Sequence, residues 1–315
     1  PGLCVSLKHS SVFASYTMIA KGSYPAELDI RLPFSLVSDN EHEGRLEIIP
    51  AFAWLYNMYA LVRNGIKYRS RDRRKQKVQH IEFDAFAPDS MQEVARARRL
   101  LEDWAREYCG WKPGESFPRE ITLPGGCVEK SRRPAVILKA DRAREAYGEM
   151  LVHYAAGSLS GCSPEDLSGG ISAGAGRWIN CGGQMVREQD VTALRSDIRS
   201  GKLGSWEEVH GRFDELWAAY PEQKRLHAAA LLNGMNGWTP DGDGIGSLLA
   251  EGRRLLAMMA ARAEQSRAKD FGNPFRAATC RDAAELEAVF GRLEDDKVIG
   301  ELRSRIPGQE APDKP

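Results

Sequence analysis

Residues 48–77 constrain the fold more than any other stretch, because an almost wholly apolar segment runs straight into a dense basic one. Ile48, Ile49, Phe52, Leu55, Tyr56, Tyr59 and Val62 recur at helical spacings, and Trp54, Met58 and Leu61 fill the other sides. A helix that is apolar all round is buried. Behind it come Arg63, Lys67, Arg69, Arg71, Arg73, Arg74, Lys75 and Lys77, against one acid, Asp72. The pattern predicts a core helix, opened by Pro50, that delivers a cationic arm.

At 315 residues the chain exceeds the ~100–200 of a single domain, so two packed units or one large one are expected. Lys plus Arg and Asp plus Glu number 44 each. With no net field to draw in nucleic acid or an anionic membrane, any attraction for anions has to be local, and the arm is its main source. Cys4, Cys109, Cys127, Cys162, Cys181 and Cys280 form no CxxC pair, which points to a reduced compartment and a cytoplasmic location. As a helix, the run from Ile48 to Val62 would reach about 22 Å, short of the ~30 Å of a bilayer core, so no membrane span is expected. No signal peptide is visible, and a chain opening on Pro1 leaves a targeting signal upstream open.

Along the first 35 residues Leu7, Phe13 and Ile19 sit six apart, and Val12, Met18, Tyr24 and Ile30 keep the same spacing. This is the rhythm of a hexapeptide β-helix, with an ordinary pair of edge strands as the alternative. An acidic turn with Asp39, Asn40, Glu41 and Glu43 precedes the organising helix. A short extended piece at 79–83 follows the arm, then an amphipathic helix over 89–108 with Arg96, Arg98, Arg99 and Glu102 on its polar side. Residues 109–133 read as an irregular excursion with two short strands, 120–123 and 127–130. Pro134 opens a helix over 134–159. The glycine-rich stretch 160–186 is a loop enclosing a strand at Trp178-Ile179. Helices are then predicted over 188–200, 205–235 with an interruption at Pro221, 245–270 and 282–305, and a disordered tail after Pro307. Short connections favour antiparallel neighbours in a bundle.

The run PGLCVSLKHSSVFASYTMIAKGSYPAELDIRLPFSLVSD, then IIPAFAWLYNMYALVRN and RDRRKQKVQHIEFDAFAPD, resembles the C-terminal part of an uncharacterised bacterial family, "domain of unknown function 4954". That family is itself similar to left-handed β-helix acyltransferases and sugar nucleotidyltransferases, with a helical extension. The resemblance implies an α+β, mostly α fold, in which the last coils of a left-handed β-helix are followed by a helical-bundle extension. The divisions are then 1–45 for the coils, 46–90 for a capping helix, arm and strand, 91–306 for a helical domain and 307–315 for the tail. It also implies a homotrimer built through the β-helix, and an acyl- or nucleotidyl-transferase acting on a sugar-derived substrate, with a sugar nucleotide or acyl-coenzyme as ligand. The alternative is a non-catalytic oligomeric scaffold or a ligand- or partner-binding protein.

No catalytic residue carries over from the family, so the chemistry rests on the residues alone. His9 is the histidine of the hexad region and has the right acidity for a general base, with Lys8 beside it for a phosphate. The plain alternative for both is exposed polar positions on a strand flank. Arg63, Lys67, Arg69, Arg71, Arg73 and Arg74 could clamp phosphates through charge-assisted hydrogen bonds, or form a solvated helix end paired with acids of the turn or the bundle. Nucleic acid is disfavoured by the neutral balance. His80, Glu82 and Asp84 alternate on one face, a pattern open to a divalent metal but commoner on an exposed edge. Asp241-Gly242-Asp243-Gly244 fails the calcium-loop pattern and reads as a turn capping the next helix. Gly169-Gly170 to Gly174-Ala175-Gly176 reads as a mobile loop with no nucleotide signature, and His153 and His227 as satisfied structural residues. No metal site and no cofactor is assigned.

Overall fold

The computed structural model describes residues 3–167, 174 and 176–306. Both the disordered tail expected after Pro307 and most of the loop around Gly169-Gly170 lie outside the described residues.

Seven short strands open the chain: β1 (Val5–Leu7), β2 (Val12–Phe13), β3 (Met18–Ile19), β4 (Gly22–Tyr24), β5 (Asp29–Ile30), β6 (Leu36–Asn40) and β7 (Arg45–Ile49). Each of the first three pairs in parallel with the strand three places further on, in the registers Val5 to Gly22, Val12 to Asp29 and Met18 to Leu36. The corners repeat as well. Tyr16 and Phe34 both take left-handed backbone (φ 58° and 56°), and their rings stack at 4.9 Å. The expected last coils of a left-handed β-helix are nevertheless not what these strands build. A solenoid repeats coil upon coil, whereas β1, β2 and β3 each have one neighbour among the described residues, and β6 turns into an antiparallel hairpin with β7.

That hairpin enters a five-stranded mixed sheet of order β3-β6-β7-β9-β8, completed by β8 (Glu120–Leu123) and β9 (Ala135–Leu138). Two expectations fail here for one reason. Ile48 and Ile49 belong to β7, and Val136 and Ile137 to β9, rather than to the helices predicted over both stretches. β-Branched residues suit a pleated surface. Along β7 burial alternates, with Leu46 and Ile48 fully inside, while β9 lies between two strands and is buried almost throughout. The residues expected as a strand at 127–130 contribute a single bridge, Leu28 to Glu129.

The organising helix is consequently shorter and split. α1 (Phe52–Tyr56) follows Ala51, a third left-handed position (φ 53°), and ends at Asn57, whose non-helical backbone separates it from α2 (Met58–Arg71). Trp54 of α1 is fully buried, with Phe86 edge-on to its ring at 5.7 Å. α3 (Pro88–Cys109) starts with proline in its first turn and lays Met91, Val94, Ala97, Leu101 and Ala105 into the core. α4 (Ala140–Ser158) crosses the centre of the bundle, against α3, α6 and α7. A hairpin of β10 (Trp178–Cys181) and β11 (Gln184–Arg187) leads into α5 (Glu188–Arg199).

α6 (Trp206–Asn236) opens with a reciprocal Ser205–Glu208 cap and runs unbroken through Pro221, where an interruption was expected. The missing N–H lies at an exposed position, and buried side chains on both sides, Leu216 and Tyr220 before it and Ala228 and Ala229 after it, hold the helix against the bundle. Asp241 caps α7 (Gly242–Phe271) by accepting from Gly244 N at 2.6 Å. The segment expected as one last helix is preceded by α8 (Pro274–Ala277) and divides into α9 (Ala283–Phe290) and α10 (Lys297–Ser304), broken at left-handed Gly291. One apolar core runs from Ile19 to Leu302, so strands and helices share an interior. The fold is α+β and mostly helical. Among the described residues no helix is long and apolar enough to cross a membrane, and all six cysteines are free.

Candidate functional site

The basic arm is held by α2 and the turn that follows, and its cations meet two different fates. Arg69 pairs with Glu301 of α10 and lies over the Phe83 ring. Arg74 forks onto Asp72, donates to Gln79 O at 2.9 Å, and shares Asp72 with Lys77. These hydrogen bonds from Arg74 hold the Asp72 carboxyl down at about 2, so the pair stays charged across the neutral range. Arg69, Arg74 and Lys77 are thus internal stitching.

The remaining arm cations are bare. Arg63, Lys67 and Arg71 stand four residues apart on one side of α2, and none has an acidic partner among the described residues. The Arg63 Nε is buried without a hydrogen-bond partner, its guanidinium set over the Tyr59 ring at 6.0 Å. Repulsion from Arg63, then desolvation, then repulsion from Arg71 pull the Lys67 ammonium below its ordinary pKa. A row of cations that mutually disfavours its own charge is a surface on which an anion is stabilised. Arg73 and Lys75, exposed just beyond the helix, extend it without acidic partners among the described residues. Arg267 also lies over the Tyr59 ring, at 5.1 Å, but is neutralised by Asp270 and Asp296.

His9 and Lys8 fall in the exposed turn between β1 and β2. Among the described residues no acid bonds His9, and it does not line the clefts at α2, α3 or α6. Structure and sequence therefore bring Lys8 and His9 together only with each other. His80 is stacked on Trp217 at 5.0 Å and bonded to Asp214 at 2.7 Å, while Glu82 accepts from Tyr220 at 2.7 Å and pairs with Lys224 at 3.3 Å. His80 and Glu82 thus hold α6, and Asp84 accepts from Phe86 N at 3.0 Å, so the three do not converge on a cation, and no group of metal-ligating side chains occurs among the described residues.

His227 is buried, its Nδ1 2.9 Å from the Tyr154 hydroxyl, and burial drives its pKa down to about 3. His153 lies between the rings of Trp54 and Phe86, with its pKa lowered by burial. Both are neutral at pH 7. The spacing of 63, 67 and 71 was readable as one helix face. Which arm residues would be neutralised was not, because Glu301 lies more than two hundred residues downstream.

No family model matches the chain, and no solved structure matches it. With mixed sheets in place of a solenoid, this overturns the resemblance to the uncharacterised β-helix family. The chain is 36% identical over 319 residues to an uncharacterized protein of Treponema pallidum (strain Nichols). The alignment covers 95% of this chain and 44% of that protein, so the chain spans less than half the length of the curated relative it matches.

Proposed function

We propose that this chain is a ligand-binding module whose α2 face holds a molecule carrying several phosphates, of the nucleotide or coenzyme class. The carrying observation is the row Arg63, Lys67 and Arg71, left without acids while neighbouring arm residues are paired. Successive members are about 6 Å apart along the axis and the row spans about 12 Å. A single phosphate is too small to touch all three, whereas a chain of phosphates reaches them in turn. Arginine supplies bidentate hydrogen bonds to phosphate and lysine a point charge. The balanced net charge favours such a local ligand over a long polyanion, which draws on a broad field. Group transfer would need a general base beside the row. No histidine stands in α2, which supports the binding reading over the transferase one.

Titrating the protein with ATP and with coenzyme A by calorimetry tests this. Saturable binding is expected, weakening as salt rises, and falling at least tenfold in Lys67→Gln/Arg71→Gln. Equal affinity of that variant and the wild type would refute the proposal.

A further inference from the structure

A second concentration of arginine sits in a cleft of about 510 Å³ between β2, α3 and the start of β10. It is lined by Arg96 and Arg99 of α3, Arg31 after β5 and Arg177 before β10, by the apolar Phe13, Ala14 and Leu100, and by two acids, Glu93 and Asp103. Four separate chain segments thus converge on one hollow. Arg96 and Arg99 have no hydrogen bond or ion pair among the described residues, although Glu93 and Asp103 lie within one turn of them. Each of those acids already accepts a bond from another group, Glu93 from Ser15 N at 2.6 Å and Asp103 from Arg106 at 2.6 Å, the second in a solvent-exposed pair. Arg31 pairs with Asp29, and Arg177 with Glu188 at 3.2 Å, but these pairs are solvent-exposed and yield readily to a better anion.

The walls are also tied in place. Gln92 of α3 accepts from Trp178 N at 3.2 Å and donates to Gly176 O, which fixes the backbone on both sides of Arg177. Glu93, one residue on, fastens the corner after β2 to the same helix through Ser15. α3 therefore sets the distance between the arginines independently of any ligand.

We propose that this cleft binds a small phosphate monoester, a compact dianion with one apolar or aromatic substituent. Guanidinium groups from different directions can fork onto the phosphate oxygens, and the substituent lies on Phe13 and Leu100, where it leaves water. The volume is of the size that takes one small molecule. The concave shape and the apolar Phe13, Ala14 and Leu100 separate it from the α2 row, which offers charge along a line and no enclosure.

The test uses the whole chain with phenyl phosphate and inorganic phosphate as probes, followed by calorimetry. Phenyl phosphate is expected to bind saturably and at least tenfold more tightly than inorganic phosphate. Arg96→Gln/Arg99→Gln is expected to lose at least tenfold, and Leu100→Ser to bring phenyl phosphate towards the level of inorganic phosphate. Arg177→Gln, on a different segment, must weaken binding too, so that the result does not hang on the folding of one variant. Lys67→Gln is expected to leave phenyl phosphate unaffected, which separates this site from the α2 row. Unchanged binding by the double variant, absence of saturable binding to the wild type, or loss in Lys67→Gln instead would overturn the proposal.

Discussion

The arm of α2 and the cleft of α3 carry the same charge and use it differently. In the arm, where cations are densest in the sequence, Arg69, Arg74 and Lys77 are taken up by Glu301 and Asp72, while the row Arg63, Lys67 and Arg71, and Arg73 and Lys75 beyond it, have no acidic partner among the described residues. In α3, where acids are interleaved with arginines, Arg96 and Arg99 stay bare because Glu93 and Asp103 are engaged by Ser15 and Arg106. Local density of charge is therefore a poor guide to free charge. What decides is whether the nearest acids have been claimed by another group. Exposed pairs add at most about 1 kcal/mol to stability, so the cations they hold remain recruitable, whereas a forked pair such as Arg74–Asp72 does not release its arginine cheaply.

The comparison breaks most easily by exchange of effects. Lys67→Glu places an acid between Arg63 and Arg71 and should lower ATP affinity by more than tenfold, beyond about 1.4 kcal/mol, while phenyl phosphate binding stays within a factor of two. If both ligands weaken together, the two surfaces are one site and the distinction fails. A smaller effect is expected from Gln92→Ala, which removes the ties flanking Arg177. One hydrogen bond of about 1 kcal/mol corresponds to roughly fivefold weaker phenyl phosphate binding, with ATP binding unchanged. Calorimetry on the single variant reads both.

The smallest effect concerns what stands behind α2. Burial raises the Asp296 carboxyl, but hydrogen bonds from Tyr59 and Arg267 and from the N–H groups of Ile299 and Val298 bring it below its ordinary value overall. A carboxyl depressed in the folded state contributes stability above its unfolded pKa of about 3.9, and this is lost as pH falls through the lower folded value. Amide exchange in α10 and α2, corrected for intrinsic rates, should therefore speed up between pH 5 and 3 more than in α3. Asp296→Asn should already exchange faster at pH 5 and change less on acidification. Equal acceleration across the three helices would show that Asp296 does not anchor this side.

Much of the helical part was legible from sequence because its signals are local. α6 and α7 carry N-terminal caps in Ser205 and Asp241, α3 starts with proline in its first turn, and the ends of α3, α5, α6 and α7 fall within a few residues of the expected ones. The failures cluster where a segment's partner decides. Ile48 and Ile49 look like the first turn of a helix until Ile137 and Leu36 are beside them, and Val136 and Ile137 become a strand for the same reason. The six-residue spacing at the start marks parallel pairing, but does not say how many coils follow. The bare row of α2 could be read from its spacing. The cleft could not, since Arg31, Arg96 and Arg177 are far apart in the chain and only folding sets them around Phe13.

The one-sided pairing of β1, β2 and β3 bears on how the molecule behaves at high concentration. Unpaired edges are templates for fibrils when they are long, flat and apolar. Here each edge offers two or three residues, set on three separate ladders and joined by turns that carry Lys8, His9 and Ser10. A cross-β zipper needs roughly six or seven residues in one line. Among the described residues these three edges thus present no single track long enough for a neighbouring strand to grow on.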